Sequence, residues 1–216
     1  MVAQPKKYAV IFDCDGVMFD SRNANINYYN YLLSRFNLPP MTDDKIDFVH
    51  AYTAKDSIRH IFEGTPYLDQ AIAIAKNTDY TPFIHDMIIE PDLKELLSAL
   101  KPDFWLGVAT NRSTTIGNVL KIHGLVDFFD IVVSSLDVKN PKPHPESLLK
   151  ILKYFKISPG DAIYIGDSNL DYESARSAGV IFVAYKNREL DADYHVSSMM
   201  EISELLTSGR WIKVGE

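Results

Sequence analysis

Cysteine is nearly absent. Cys14 is the only one in 216 residues, so no disulfide can form within the chain, and Cys-x-x-Cys zinc sites and disulfide scaffolds are excluded. No hydrophobic run is long enough to cross a bilayer. The first apolar run, Tyr8 to Phe12, stops at Asp13 and is far too short for a membrane helix or a signal-peptide core. Positive charge is also short. With a formal charge of −7, the chain lacks the basic surface that a nucleic-acid partner needs, although a local basic pocket for an anion stays open. These absences point to a soluble protein of a reducing, cytoplasmic compartment, with no membrane and no nucleic-acid partner. The sequence leaves monomer and homodimer equally open.

What is present is ordinary globular material, 46% hydrophobic and 24% charged, in a chain long enough for a substantial core. Short runs without polar alternation recur at 8–12, 104–109, 131–133, 162–165 and 180–184. Such runs suit parallel strands covered on both faces. Between them, 91–101, 113–123 and 145–155 have helical apolar spacing. The alternation predicts βαβ units, hence a doubly wound parallel sheet with helices on both sides. Trp105, inside the second run, is expected in the core.

Residues 21–90 interrupt the pattern. Four helices are predicted there, over 25–36, 44–52, 53–62 and 66–77, with no strand among them. Pro39-Pro40, Gly64-Thr65-Pro66 and Thr81-Pro82 punctuate the segment. The expected organisation is a core of residues 1–20 and 91–216 and an inserted all-helical domain of residues 21–90. Beyond about Tyr194 a short strand and a last helix are expected.

Four polar groups follow the ends of apolar runs. Asp13 and Asp15 flank Cys14 after the first run. Alternation of an extended chain directs both carboxylates one way and the thiol the other. Two such acids can hold a hard cation or divide into nucleophile and proton donor. Gly16 allows a sharp turn beside them. Thr110 and Asn111 follow the second run, and Ser113 is placed to cap the next helix, an anion seat. Lys142 stands between Pro141 and Pro143 at a helix start, better placed than Lys139 to neutralise a phosphoryl oxygen. His144 reads as a loop or capping residue. Asp167 ends a further run, and Asp171 lies one helical turn on. All four groups fall at the carboxyl edge of the expected sheet, where open α/β folds bind ligands.

In order and spacing, Asp13-Cys14-Asp15-Gly16-Val17, Thr110-Asn111, Lys142-Pro143 and Gly166-Asp167-Ser168-Asn169-Leu170-Asp171 resemble the motifs of the haloacid dehalogenase-like superfamily. The likeness is to its phosphatase branch with a helical cap after the first strand, similar to phosphoglycolate phosphatases and beta-phosphoglucomutases. It covers residues 7–20 and 91 to about 185, and extends to the cap only in position and helical character.

The resemblance implies a Rossmann-like core and an Mg²⁺-dependent phosphatase acting on a small phosphorylated metabolite. Asp13 would be the nucleophile and form an aspartyl-phosphate. Asp15 would protonate the leaving alcohol and then activate water. Mg²⁺ would sit between Asp13, Asp167 and the backbone carbonyl of Asp15. Thr110, Asn111 and Lys142 would bind the phosphoryl oxygens. Asp171 would orient Lys142 or a water of the cation. An acid at position 15 argues against a dehalogenase. A phosphomutase on a sugar phosphate is the alternative, although the stretch 21–27 lacks the histidine that the resemblance would place early in such a cap. A non-catalytic protein on the same fold is a third reading. Arg22, Lys55, Arg59 and His60 are cap candidates for gripping a substrate anion. Tyr28 and Tyr29 are expected to pack, Cys14 to be buried, and Arg112 receives no role.

Overall fold

In a computed structural model of the protein, residues 6–209 and 211 are described. Six parallel strands form one sheet: β1 (Tyr8–Phe12), β4 (Phe104–Ala109), β5 (Ile131–Val133), β6 (Ala162–Gly166), β7 (Ile181–Tyr185) and β8 (Tyr194–Val196). Their order is β5-β4-β1-β6-β7-β8. The chain winds outward from β1 in both directions, so β1 lies at the switch point between β4 and β6, where an open α/β sheet has its ligand crevice.

Alternation along β1 splits the core into two layers. Val10 and Phe12 pack towards α6 (Leu93–Leu100), α7 (Ile116–Ile122) and α10 (Met199–Thr207). Ala9 and Ile11 pack towards α8 (Glu146–Phe155) and α9 (Asn169–Ala178). Being covered on both sides explains why this strand is apolar at successive positions. Trp105 differs from expectation: it is half-buried near the start of β4 and stacks on Phe155 at 5.2 Å.

The interrupting segment contains α1 (Arg22–Ser34), α2 (Asp43–Ala51), α3 (Ala54–Ile61), α4 (Leu68–Asn77) and a short α5 (Thr81–Ile84). These helices have a hydrophobic cluster of their own, including Tyr28, Leu32, Val49, Ile61 and Phe62. One strand breaks the helical expectation for this segment. β3 (Ile88–Ile89) pairs antiparallel with β2 (Phe19–Asp20), Phe19 opposite Ile89 and Asp20 opposite Ile88. The chain thus leaves and re-enters the core along one ribbon. Glu90, next after β3, fastens the return: its Oε1 accepts from Tyr185 Oη at 2.7 Å and from Lys186 Nζ. Among the described residues no helix is long and apolar enough to cross a membrane.

Candidate active site

Three neighbouring strands end together. Phe12 is in register with Val108 on one side and Ile165 on the other, so Asp13, Thr110 and Asp167 emerge side by side. The Asp13 amide still donates to Ile165 O at 2.9 Å, and the Thr110 amide to Val133 O at 3.0 Å. Asp13 and Thr110 are therefore fixed by the sheet rather than by a loose loop. Carboxylate oxygens of Asp13, Asp167 and Asp171 lie within 4.8 Å of one another.

Gly16 makes room for this cluster. Its φ is +78°, and a Cβ there would fall 2.0 Å from Asp167 Oδ2, closer than any real contact. Gly166 does the same for Asp171, whose Cβ would stand 2.4 Å from an added one. Ser168 and Asp171 form a capping box that starts α9. The box uses Asp171 Oδ2, which accepts from the Ser168 amide at 3.1 Å and its hydroxyl at 2.5 Å. Oδ1 accepts from Lys142 Nζ at 2.6 Å and Tyr164 Oη at 2.5 Å. With four donors on two oxygens, the Asp171 carboxylate is saturated.

Lys142 Nζ also lies 2.8 Å from Asp13 Oδ1. Burial favours the neutral amine, but Asp13 and Asp171 outweigh it and keep the ammonium protonated, with its pKa raised. Asn111 sets the Lys142 backbone: Oδ1 accepts from the Lys142 amide at 3.0 Å, and Nδ2 donates to the Lys142 carbonyl at 3.2 Å. The same Nδ2 reaches the carbonyl of Ala51, at the end of α2, at 3.2 Å.

The electrostatics divide the two acids of the first motif. Desolvation, with Asp171 and Asp15 nearby, outweighs Lys142 and pushes Asp13 up to about 7. Asp167 is raised for the same chief reason, its burial. Asp15 goes the other way. Burial pushes it up, but Arg112 holds it below the usual carboxylate value. Arg112 Nε donates to both Asp15 oxygens at 3.0 and 2.8 Å, and Nη2 to Oδ1 at 2.7 Å. Ser21 Oγ donates to the same Oδ1.

A divalent cation fits this donor set. Buried Asp13 Oδ1 receives no aligned hydrogen bond despite the neighbouring lysine. Asp13 and Asp167 are hard oxygen donors in a desolvated place, where burial raises both and the charge of Asp13 raises Asp167 further. Asp171, with no lone pair to spare, suits the orientation of Lys142 instead.

Thr110 is buried, and its Oγ1 accepts from the Arg112 amide at 3.1 Å. Ser113 is corrected: α7 starts at Ile116 with Thr115 before it, so the hydroxyl of Ser113 caps nothing. His144 does cap, its Nδ1 accepting from the Glu146 amide at 3.2 Å. Cys14 is fully buried in the core layer of Phe12. Among the cap candidates only Lys55 lines the cavity above Asp13. Arg22 pairs with Asp47 at 2.9 Å, Arg59 with Asp56 at 3.9 Å, and His60 stacks on Phe48. Sequence reasoning missed two participants, Arg112 and Tyr164. Tyr164 Oη accepts from Lys142 Nζ at 3.0 Å while it donates to Asp171.

A doubly wound sheet whose switch-point edge gathers buried acids around one lysine is a Rossmann-like core of a kind that hydrolases use. The haloacid dehalogenase-like hydrolase family matches residues 10–185, and the chain belongs to it. Within that family it is a phosphatase. A solved hydrolase of the superfamily's subfamily IA, variant 1, from Geobacter sulfurreducens is 40% identical, with a TM-score of 0.77 over 93% of this chain and 96% of that one. A phosphoglycolate phosphatase of Nitrosospira multiformis is 28% identical over 92% of this chain and 95% of its own length. The pyrophosphatase PpaX of Halalkalibacterium halodurans is 26% identical over 91% and 95%.

Proposed function

We propose that the protein hydrolyses a small phosphate monoester with Mg²⁺, through an aspartyl-phosphate on Asp13, with residues 1–20 and 91–216 as catalytic core and 21–90 as cap. The observation that carries this reading is the Asp13–Lys142–Asp171 chain beside Asp167 at the sheet's carboxyl edge. Asp13, held by its own strand, is aimed for in-line attack on phosphorus. Lys142, kept charged and oriented by Asp171 and Tyr164, neutralises a phosphoryl oxygen. The hydroxyl of Thr110 and the backbone amide of Asn111, at the end of β4, bind the other oxygens. A cation held by Asp13, Asp167 and the Asp15 carbonyl would withdraw negative charge from the phosphoryl group.

Asp15 takes the proton work. Paired with Arg112 it is a carboxylate, the form that accepts a proton from the water hydrolysing the intermediate. To protonate the leaving alcohol it has to leave Arg112 by a side-chain rotation at the cavity wall and take up a proton from solvent, which the buried carboxyl does more readily away from the guanidinium. The proton then passes to the leaving oxygen and the carboxylate is regenerated. The helices overhanging the site exclude water during that transfer.

Phosphate release from a panel of monoesters, with Mg²⁺ and after exhaustive EDTA treatment, tests the reading. Turnover is expected only with the cation, and Asp13→Asn is expected to lose about a thousandfold or more in kcat, of the order seen when a nucleophile is removed. Full activity of Asp13→Asn, or activity that survives EDTA, would overturn the assignment.

A further inference from the structure

The cavity above Asp13 is larger than a phosphate and a short acid require. Its volume of about 360 Å³ falls within the ~300–1,000 Å³ of sites for drug-sized organic molecules. The wall supplied by the helical segment has a distinct character. Tyr28, Tyr29, Tyr80, Ile58 and Ile72 line it. The Tyr28 ring meets Tyr29 edge-on at 5.0 Å and Tyr80 at 4.9 Å. Tyr28 and Tyr29 are buried, so half-buried Tyr80 presents most of the ring area that this cluster gives to the cavity. Ile72 is 36% exposed, leaving apolar area to the cavity.

Charge on this wall has one sign. No aspartate or glutamate of residues 21–90 lines the cavity, whereas Lys55 and Lys76 do. Neither lysine makes an ion pair or a side-chain hydrogen bond among the described residues. A compact dianion would use the lysines and leave the aromatic surface against water. An extended apolar body would cover it and leave the lysines to polar or anionic substituents.

We propose that the leaving-alcohol side of the substrate is an aromatic or fused-ring body seated on Tyr80 and Ile72, backed by the buried Tyr28, so that the enzyme prefers such monoesters to phosphoglycolate or pyrophosphate. This rests on the phosphatase reading above and adds its substrate class.

The test is a series of primary-alcohol phosphates of similar leaving-group basicity: glycerol 3-phosphate, 2-phenylethyl phosphate and 2-naphthylethyl phosphate. Phosphoglycolate and pyrophosphate run beside them, with acetyl phosphate as a compact activated probe. KM is expected to fall about tenfold from glycerol phosphate to the naphthylethyl ester, as burial of one ring predicts. Ile72→Gln, a change at an exposed helical position, is expected to raise KM for the aryl esters about fivefold and to flatten the series. Calorimetric Kd values of the matching phosphonates should follow the same order without turnover. Equal KM and Kd across the series, a lower KM for phosphoglycolate or pyrophosphate, or no response to Ile72→Gln would each overturn the proposal. If acetyl phosphate is hydrolysed and the aryl preference is missing, only the substrate class falls. If neither acetyl phosphate nor any ester is hydrolysed, the phosphatase reading falls, and the phosphonate Kd values still decide what the cavity binds.

Discussion

Arg112 and Asp15 form a buried pair, with side-chain exposures of 8% and 12%. Removing one partner leaves the other desolvated and alone. Arg112→Met should therefore cost about 3–5 kcal/mol near neutral pH. The sign with pH follows from the lowered Asp15 value. A carboxyl whose folded pKa is depressed contributes stability above its unfolded value and loses it as pH falls. The melting-temperature gap between wild type and Arg112→Met should thus be wider at neutral than at acid pH, as thermal melts at both will show. Tyr164→Phe is milder. It removes the hydroxyl between Lys142 and Asp171, and kcat should fall about 10- to 100-fold, the range for groups that orient a primary ligand. Stability should change by only about 1 kcal/mol. Neither residue was legible from the sequence as a participant. Arg112 follows a helix-start pattern in which a basic residue has no special meaning, and its partner is 97 positions away. Tyr164 sits between isoleucines and reads as core. Its ring is core, and only its hydroxyl reaches the site.

At the scale of elements, the strands were readable because each is covered on both faces and so has no polar alternation. Asp13 and Asp167 were readable because each directly follows the end of such a strand. The β2–β3 ribbon was not, since two-residue strands are shorter than any periodicity can show. The helix start after β4 was misjudged because Ser113, Thr114 and Thr115 are all capping types in a row, and composition alone does not choose among them. The turn after β1 offers a sharp test. Gly16→Ala would place a methyl on the Asp167 carboxylate at a φ unfavourable to any side chain. The variant should fold with Asp167 displaced, and the increase in melting temperature that Mg²⁺ gives the wild type should be lost. A comparable variant at the exposed Gly117, where a Cβ meets nothing, should keep it.

For the molecule as a whole, the acid cluster makes stability depend on pH and cation together. With Asp13 pushed up to about 7 from 3.8, the cation-free folded state keeps a proton that the unfolded chain has released between those values. Its stability therefore declines as pH rises through that window. A divalent ion binds the ionised form and reverses the penalty. Millimolar Mg²⁺ should raise the melting temperature by about 3–6 °C at weakly alkaline pH and by less in mild acid. An equal gain at both, in differential scanning calorimetry, would show that the carboxylates of this cluster are not the ion's ligands.

The ribbon at the base of the helices has a consequence for the chain's modularity. Asp20 and Ile88 are paired neighbours in antiparallel register, so everything between them is an excursion that starts and finishes at one point. A dipeptide such as Asn-Gly joining them would close an ordinary hairpin and delete 67 residues (21–87) without cutting a strand of the six-membered sheet. Such a miniature would bare the patch now covered by Ala24, Ile84 and Met87, and would face water with its acids uncovered. The helical insertion is in this sense a detachable part, and exchanging it for another of any size needs only two ends as close together as these.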